Sequence, residues 1–191
     1  YDPEGHRYID LASGYGVAIL GYGHPKIIEA IRLQAERLVT CHGSFYNDAR
    51  ASFLEKLVGA APKGLDSVIM TNSGAEAVEA ALKTALRATG RTEIIAFVRA
   101  YHGKTFGALS ATWEQKYKDG LGPLLPNFTH VPYGDIEKVT SAVSDRTAAI
   151  LVEPIQGEGG VRVPPKGFLQ DLSALTKERG ILLILDEVQT G

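Results

Sequence analysis

The sequence has one cysteine, one methionine and one tryptophan in 191 residues. With only Cys41 available, no internal disulfide can close and no thiolate cluster can hold a metal. The chain therefore suits a reducing compartment, and a cytoplasmic location is expected. No stretch approaches the ~20 consecutive apolar residues that span a bilayer. The opening YDPEGHRYID has no basic segment followed by an apolar one, so no signal peptide is visible. It also lacks Met, so the chain is expected to begin partway into its gene product. Net charge is small: 20 Lys and Arg oppose 22 Asp and Glu. Nothing in that balance calls for nucleic acid or an anionic membrane as partner. No GxGxxG follows an apolar run, which argues against a dinucleotide fold. His6, His24, His42 and His130 lack the close spacing of metal ligands, and no metal is expected. Repeats, low-complexity tracts and charge runs are also missing.

What is present is 45% hydrophobic sequence, enough for one globular domain or the larger part of one. YDPEG reads as a turn, with Tyr8–Leu11 as a strand after it. The Gly-rich stretch 13–25 leads to Pro25. Ile27, Ile28, Ile31, Leu33 and Leu38 then make a roughly helical apolar stripe. A second helix is predicted over about 49–60. Past Pro62 the pattern alternates. SVIMT (67–71), IIAFV (94–98), FTHV (128–131), AAILVE (148–153) and ILLILD (181–186) read as strands. All but FTHV are apolar at consecutive positions, as strands covered on both faces are. Helices are predicted at about 75–89, 135–144 and 167–179. The alternation implies a three-layer α/β fold around a mostly parallel sheet. The helix at 75–89 is the best marked. Ser73 and Glu76 form a capping box, Val78, Ala81, Leu82, Ala85 and Leu86 form an apolar face, and Gly90 is a stop.

Ligands of open α/β sheets bind beyond the carboxyl ends of the strands. There the sequence reads NSGAEA, RAYHGKT, EPIQGEGG and DEVQTG. In TNSGAEA the amides of Gly74, Ala75 and Glu76 would open a helix, where they and the helix dipole favour a phosphate. The same residues would equally serve a helix that needs only its Ser73 cap. AYHGKT ends like a P-loop, but Val98 stands where that loop needs glycine, so a nucleoside-triphosphate site is rejected. Tyr101 offers a flat face to an aromatic ligand, or packs on the sheet edge. Asp186, directly after ILLIL, would be partly desolvated and needs a cationic partner: an Arg, a Lys or a protonated ring nitrogen. In extended chain Val188 would share its face, with Glu187 turned away. A solvated acid pair opening a loop is the alternative.

These motifs in this order resemble the class III aminotransferases, a pyridoxal-5′-phosphate (PLP) family of fold type I. The matching stretches are TNSGAEAVEAALK, YHGKTFGALSAT, VEPIQGEGGV and LILDEVQTG, with YDPEGHRYIDLASGYGVAILGYGHP upstream. The resemblance implies an N-terminal segment over 1–48 and the front part of the PLP-binding large domain over 49–191. It implies that Ser73, Gly74 and Ala75 hold the cofactor phosphate. Tyr101, followed by His102, would stack on the pyridine ring with Val188 on the other face. Asp186 would pair with the ring nitrogen and Gln189 with the phenolic oxygen. Glu153 and Glu158 match acidic active-site positions, and Tyr15 and Tyr46 match substrate-pocket aromatics. Lys104 stands where many relatives have Arg. Lys lacks the bidentate fork that grips a carboxylate, which suits a diamine substrate and resembles putrescine aminotransferases. The family's Schiff-base lysine is expected beyond Gly191, since neither Lys104 nor Lys177 matches it. The implied reaction is transfer of an ω-amino group from putrescine, ornithine or acetylornithine to 2-oxoglutarate, in a homodimer. The alternatives are an aminomutase of the glutamate-1-semialdehyde type, which Gln189 argues against, and an inactive cofactor-binding or interface module. The isolated chain is expected to be inactive.

Overall fold

The computed structural model describes residues 1–191, which divide into two compact units, Tyr1–Val68 and Ile69–Gly191. The sequence reading puts its boundary earlier, at 48/49. The first unit carries two helices, α1 (Pro25–Arg37) and α2 (Asp48–Ala60). Both begin as their sequences dictate. Pro25 opens α1 behind His24, whose ring accepts from the Lys26 amide. The Asn47 side chain accepts from the Arg50 amide at the start of α2. Neither helix buries a residue, and Ile27, Ile28, Ile31, Leu33 and Leu38 are all exposed. The turn predicted at YDPEG forms, but the strand predicted at Tyr8–Leu11 does not. No neighbouring strand supplies it with a ladder, and a lone strand leaves its amides to water.

The second unit is built on four parallel strands: β1 (Glu93–Phe97), β2 (Phe128–Val131), β3 (Thr147–Val152) and β4 (Leu182–Leu185), in the order β2-β1-β3-β4. The pleat sends alternate residues to opposite faces. Ile94, Ala96, Ala149 and Leu151 meet Val78, Leu82 and Ala85 of α3 (Gly74–Thr89) and Ala108 and Ala111 of α4 (Phe106–Ala111). Ile95, Phe97, Ile150 and Val152 meet Val139 of α5 (Ile136–Ala142) and Phe168, Leu172 and Leu175 of α6 (Phe168–Arg179). This is the expected three-layer arrangement, and β1 and β3 are covered on both faces.

Two predicted strands differ. SVIMT (67–71) forms no strand and is exposed, because none of the four strands pairs with it. β4 forms, but Leu182 and Leu185 are exposed. It is the edge of the sheet, so the helix layers cover it only in part. Helix α4 and the 3-10 turn Gln115–Tyr117 were not anticipated.

Helix α3 has the predicted cap: Ser73 Oγ accepts from the Glu76 amide at 3.2 Å. The Glu76 carboxylate reaches back to the Asn72 amide rather than that of Ser73. Gly90 ends the helix at φ 68°. Ser73→Ala is expected to cost about 1 kcal/mol, read as a lower urea midpoint with an unchanged slope.

Candidate active site

Because all four strands are parallel, their carboxyl ends lie on one edge of the sheet. The chain leaves β1 for β2 on one side and leaves β3 for β4 on the other, so the topological switch point lies between the ends of β1 and β3. The loop after β3 is stitched onto the loop after β1 across this point. Glu153 accepts from the Tyr101 amide and from the Gly157 amide, each at 3.2 Å. Gln156 Nε2 donates to the Val98 carbonyl at 3.0 Å. A Cβ on Gly159 would lie 2.5 Å from the Arg99 carbonyl oxygen, so only glycine allows this approach. Burial pushes the Glu153 carboxyl above its ordinary range, helped by the charge of Asp186 and opposed by His102 and the two amides. Tyr133 donates to the Glu153 and Pro154 carbonyls, and burial, with the Glu153 charge behind it, pushes its phenol up to about 12.

Strand register brings the acids together. Val152 pairs with Leu185, so Glu153 and Asp186 are the next residues on adjacent strands, and the Asp186 amide donates to the Val152 carbonyl at 2.8 Å. Asp186 is buried, and its side-chain partner in the chain is His102 rather than an Arg or a Lys. Nδ1 lies 2.6 Å from Asp186 Oδ2, with 0% and 5% of the two side chains exposed. A carboxylate only accepts, so Nδ1 carries the proton. The His102 amide is fixed in turn by Thr112 Oγ1, which bonds the Gly103 and Ala108 carbonyls.

The segment after Asp186 corrects one expectation. It turns instead of continuing extended, because Asp186 Oδ1 captures the Val188 amide at 3.1 Å and the Thr190 and Gly191 amides bond the Glu187 carbonyl. Val188 therefore reaches its position through a turn. Its methyls lie against Gly74, where a Cβ would meet them at 2.9 Å, and Gln189 lies against Gly157. Ala75 packs on Gly103, so the start of α3, the loop after β1 and the turn after β4 converge. A second correction concerns the start of α3: the Glu76 amide is taken by Ser73 Oγ, which leaves the Gly74 and Ala75 amides without an acceptor in the chain.

The remaining candidates lie further out. Tyr101 is half-buried; burial, then the Glu158 charge, pushes its phenol up. Glu158 and Lys104 are exposed. Tyr15 and Tyr46 belong to the first unit and are exposed there. Glu79 was missed by sequence reasoning. It accepts from Thr105 Oγ1 and from the Gly107 and Ala108 amides, capping α4. Burial works to raise its carboxyl, but these bonds and Lys83 outweigh it and hold it below the ordinary range. Its position three residues after Glu76 was the only signal. Thr112 and Gln156 were visible only as letters within longer motifs.

The residues fit a phosphorylated, cationic aromatic ring. Two amides at a helix N-terminus are unspent, as a phosphate requires. The Asp186 carboxylate has about four lone-pair positions, of which His102 and the Val188 amide take two. Val188 is 59% exposed, so its outer surface can meet a ring. The buried His102 Nε2 has no partner, so the imidazole is held from the Asp186 side alone.

A parallel sheet with a buried acid after one strand and an open helix start beside it is the pattern of α/β proteins, in which ligands bind on the carboxyl edge. The chain belongs to the class III aminotransferases: that family's model matches residues 1–191. It is 51% identical over 191 residues to the acetylornithine aminotransferase of Methanopyrus kandleri, covering all of this chain and 49% of that one. It is 47% identical over 193 residues to the [LysW]-aminoadipate semialdehyde transaminase of Deinococcus radiodurans, covering 100% and 45%. An ornithine aminotransferase structure from Toxoplasma gondii, described as having partial occupancy of PLP at its active site, superposes with a TM-score of 0.92 at 34% identity, covering 100% of this chain and 47% of that one. An (S)-enantioselective omega-transaminase from Thermomicrobium roseum gives 0.90 at 31% identity, covering 97% and 48%. The expected fold type I architecture is the one shared with these transaminases. The chain spans about half the length of the curated relatives it matches. No helix is long and apolar enough to cross a membrane.

Proposed function

We propose that this chain provides the cofactor-holding part of a PLP-dependent transaminase acting on an ω-amino group. The donor is a diamine or diamino acid such as putrescine, ornithine or acetylornithine, and the acceptor is 2-oxoglutarate. The observation that carries this reading is the buried Asp186 carboxylate after β4, held by His102 and the Val188 amide with capacity to spare. Bound PLP supplies an electron-withdrawing ring that stabilises negative charge on the substrate carbon. Asp186 would hold a proton on the ring nitrogen, and His102 keeps the carboxylate oriented. Ser73, Gly74 and Ala75 would take the phosphate, Tyr101 and Val188 would set the ring plane, and Gln189 would bond the phenolic oxygen. Glu153 keeps the Tyr101 loop against the loop after β3. Glu158 lies toward the substrate, with Lys104 in place of the arginine many relatives carry. Tyr15 and Tyr46 are assigned to the substrate pocket. The names of the relatives support the substrate class, and the assembly is proposed as a cytoplasmic homodimer.

The test is a PLP titration followed by absorbance and tyrosine fluorescence. Saturable binding is expected, weakened ~10-fold by Gly74→Pro, which removes one of the two open amides and also presses a Cβ on the Val188 methyls. Equal affinity in both proteins would remove the α3 start from the phosphate site.

A further inference from the structure

Glu158 stands in the stretch Gly157-Glu158-Gly159-Gly160, where glycine leaves the backbone free and nothing buries the side chain. Its carboxylate nonetheless has a defined place, because Tyr117 donates its hydroxyl to Glu158 Oε1 at 2.7 Å. Tyr117 ends the 3-10 turn after α4 and is half-buried. Its ring meets the Tyr101 ring edge to face, with centroids 5.4 Å apart and planes at 70°. Two cations also sit on the Tyr117 ring: Lys104 Nζ at 5.0 Å and Lys116 Nζ at 4.8 Å from its centroid. One side chain thus touches the aromatic platform, the exposed acid and both lysines.

We propose that Tyr117 is a positioning residue that latches the Glu158 carboxylate beside Tyr101, giving the site entrance an anchored negative charge that favours substrates with a second ammonium group. Without the hydroxyl, the glycine-flanked carboxylate would be free to turn to Lys104 and Lys116, the cations already gathered on the same ring. The entrance would then lose its negative charge. The latch stands on the geometry alone; the selection of a diammonium substrate rests on the transaminase reading above. The raised Tyr101 phenol, to which the Glu158 charge contributes after burial, supports the latched placement.

The experiment uses tyrosine labelled with carbon-13 at Cζ, and follows the Tyr101 titration by NMR in the protein and in its Tyr117→Phe and Glu158→Gln variants. Phe keeps the ring and therefore the burial of Tyr101. Tyr117→Phe is expected to lower the Tyr101 midpoint by as much as Glu158→Gln does. A midpoint unchanged in Tyr117→Phe but lowered in Glu158→Gln would overturn the latch, and so would one lowered in neither. The second arm measures amine transfer from putrescine and from n-butylamine by the PLP-loaded full-length protein that carries this chain. Tyr117→Phe is expected to raise KM for putrescine ~10-fold, equivalent to ~1.4 kcal/mol, leaving kcat and both butylamine constants within twofold. Equal changes for the two amines would overturn the selection and leave the latch to the NMR result. Absence of transfer from either amine in the unsubstituted full-length protein would remove the transaminase reading and the selection with it, while the NMR arm still decides the latch.

Discussion

Asp186→Ala is expected to destabilise the second unit by about 2–5 kcal/mol, the cost of leaving two hydrogen-bond donors without their charged acceptor. The loss has three parts. His102 keeps a buried Nδ1–H with nothing to accept it, the Val188 amide loses its acceptor, and the turn that seats Val188 on Gly74 loosens. Asp186→Asn separates shape from charge. An amide oxygen can still accept from one of the two donors, so the stability loss falls to about 1.5–3 kcal/mol, the range for hydrogen bonds to a charged group. PLP affinity is expected to fall ~100-fold in both variants, because neither offers a negative charge to a cationic ring nitrogen. Urea denaturation measures the first quantity and a cofactor titration the second. An Asn variant that binds PLP as tightly as the parent would show that the charge of Asp186 is not what the ligand meets.

Gly103→Ala is the second large effect. Gly103 has φ +124°, a conformation an L side chain adopts only under strain of order 1–3 kcal/mol. An added Cβ would also lie 2.7 Å from Ala75 Cβ and 3.0 Å from Ala75 Cα. The second of these is backbone and cannot rotate away, so overpacking adds a further ~1–3 kcal/mol. Relief would push the start of α3 away from the loop that carries His102, and ligand binding should weaken with stability. Gly90→Ala is the control. It also has positive φ, at 68°, but nothing lies within 4 Å of the added carbon. It is expected to cost only about 1–2 kcal/mol. Comparable losses at the two positions would show that backbone strain, not contact with Ala75, dominates.

How much of this was legible in the sequence depended on whether the cause was local. Helix α3 was readable almost to the residue because cap, apolar face and stop are written within one segment. β1 and β3 were readable because strands covered on both faces must be apolar throughout. SVIMT has the same composition and forms no strand, because a strand also needs a ladder partner, which composition does not encode. β4 shows the converse: its residues fit a covered strand, but its place at the sheet edge leaves it exposed. At the site, the need of Asp186 for a partner was legible from its position after an apolar run. That the partner is His102, 84 residues earlier, was not, because the pairing arises from strand order and register. The extended path to Val188 was misread for a smaller reason: the side chain of Asp186 itself bends the backbone that follows it.

The strand order also bears on how the sheet can be assembled during synthesis. β2 pairs with β1, β3 pairs with β1, and β4 pairs with β3. Each of β2, β3 and β4 therefore finds a partner already made when it leaves the ribosome. With chain elongation at roughly 5–20 residues per second, successive strands emerge seconds apart, which is ample for a helical crossover to fold between them. The four strands can assemble one at a time: β2 and β3 take opposite edges of β1, and β4 then adds to β3.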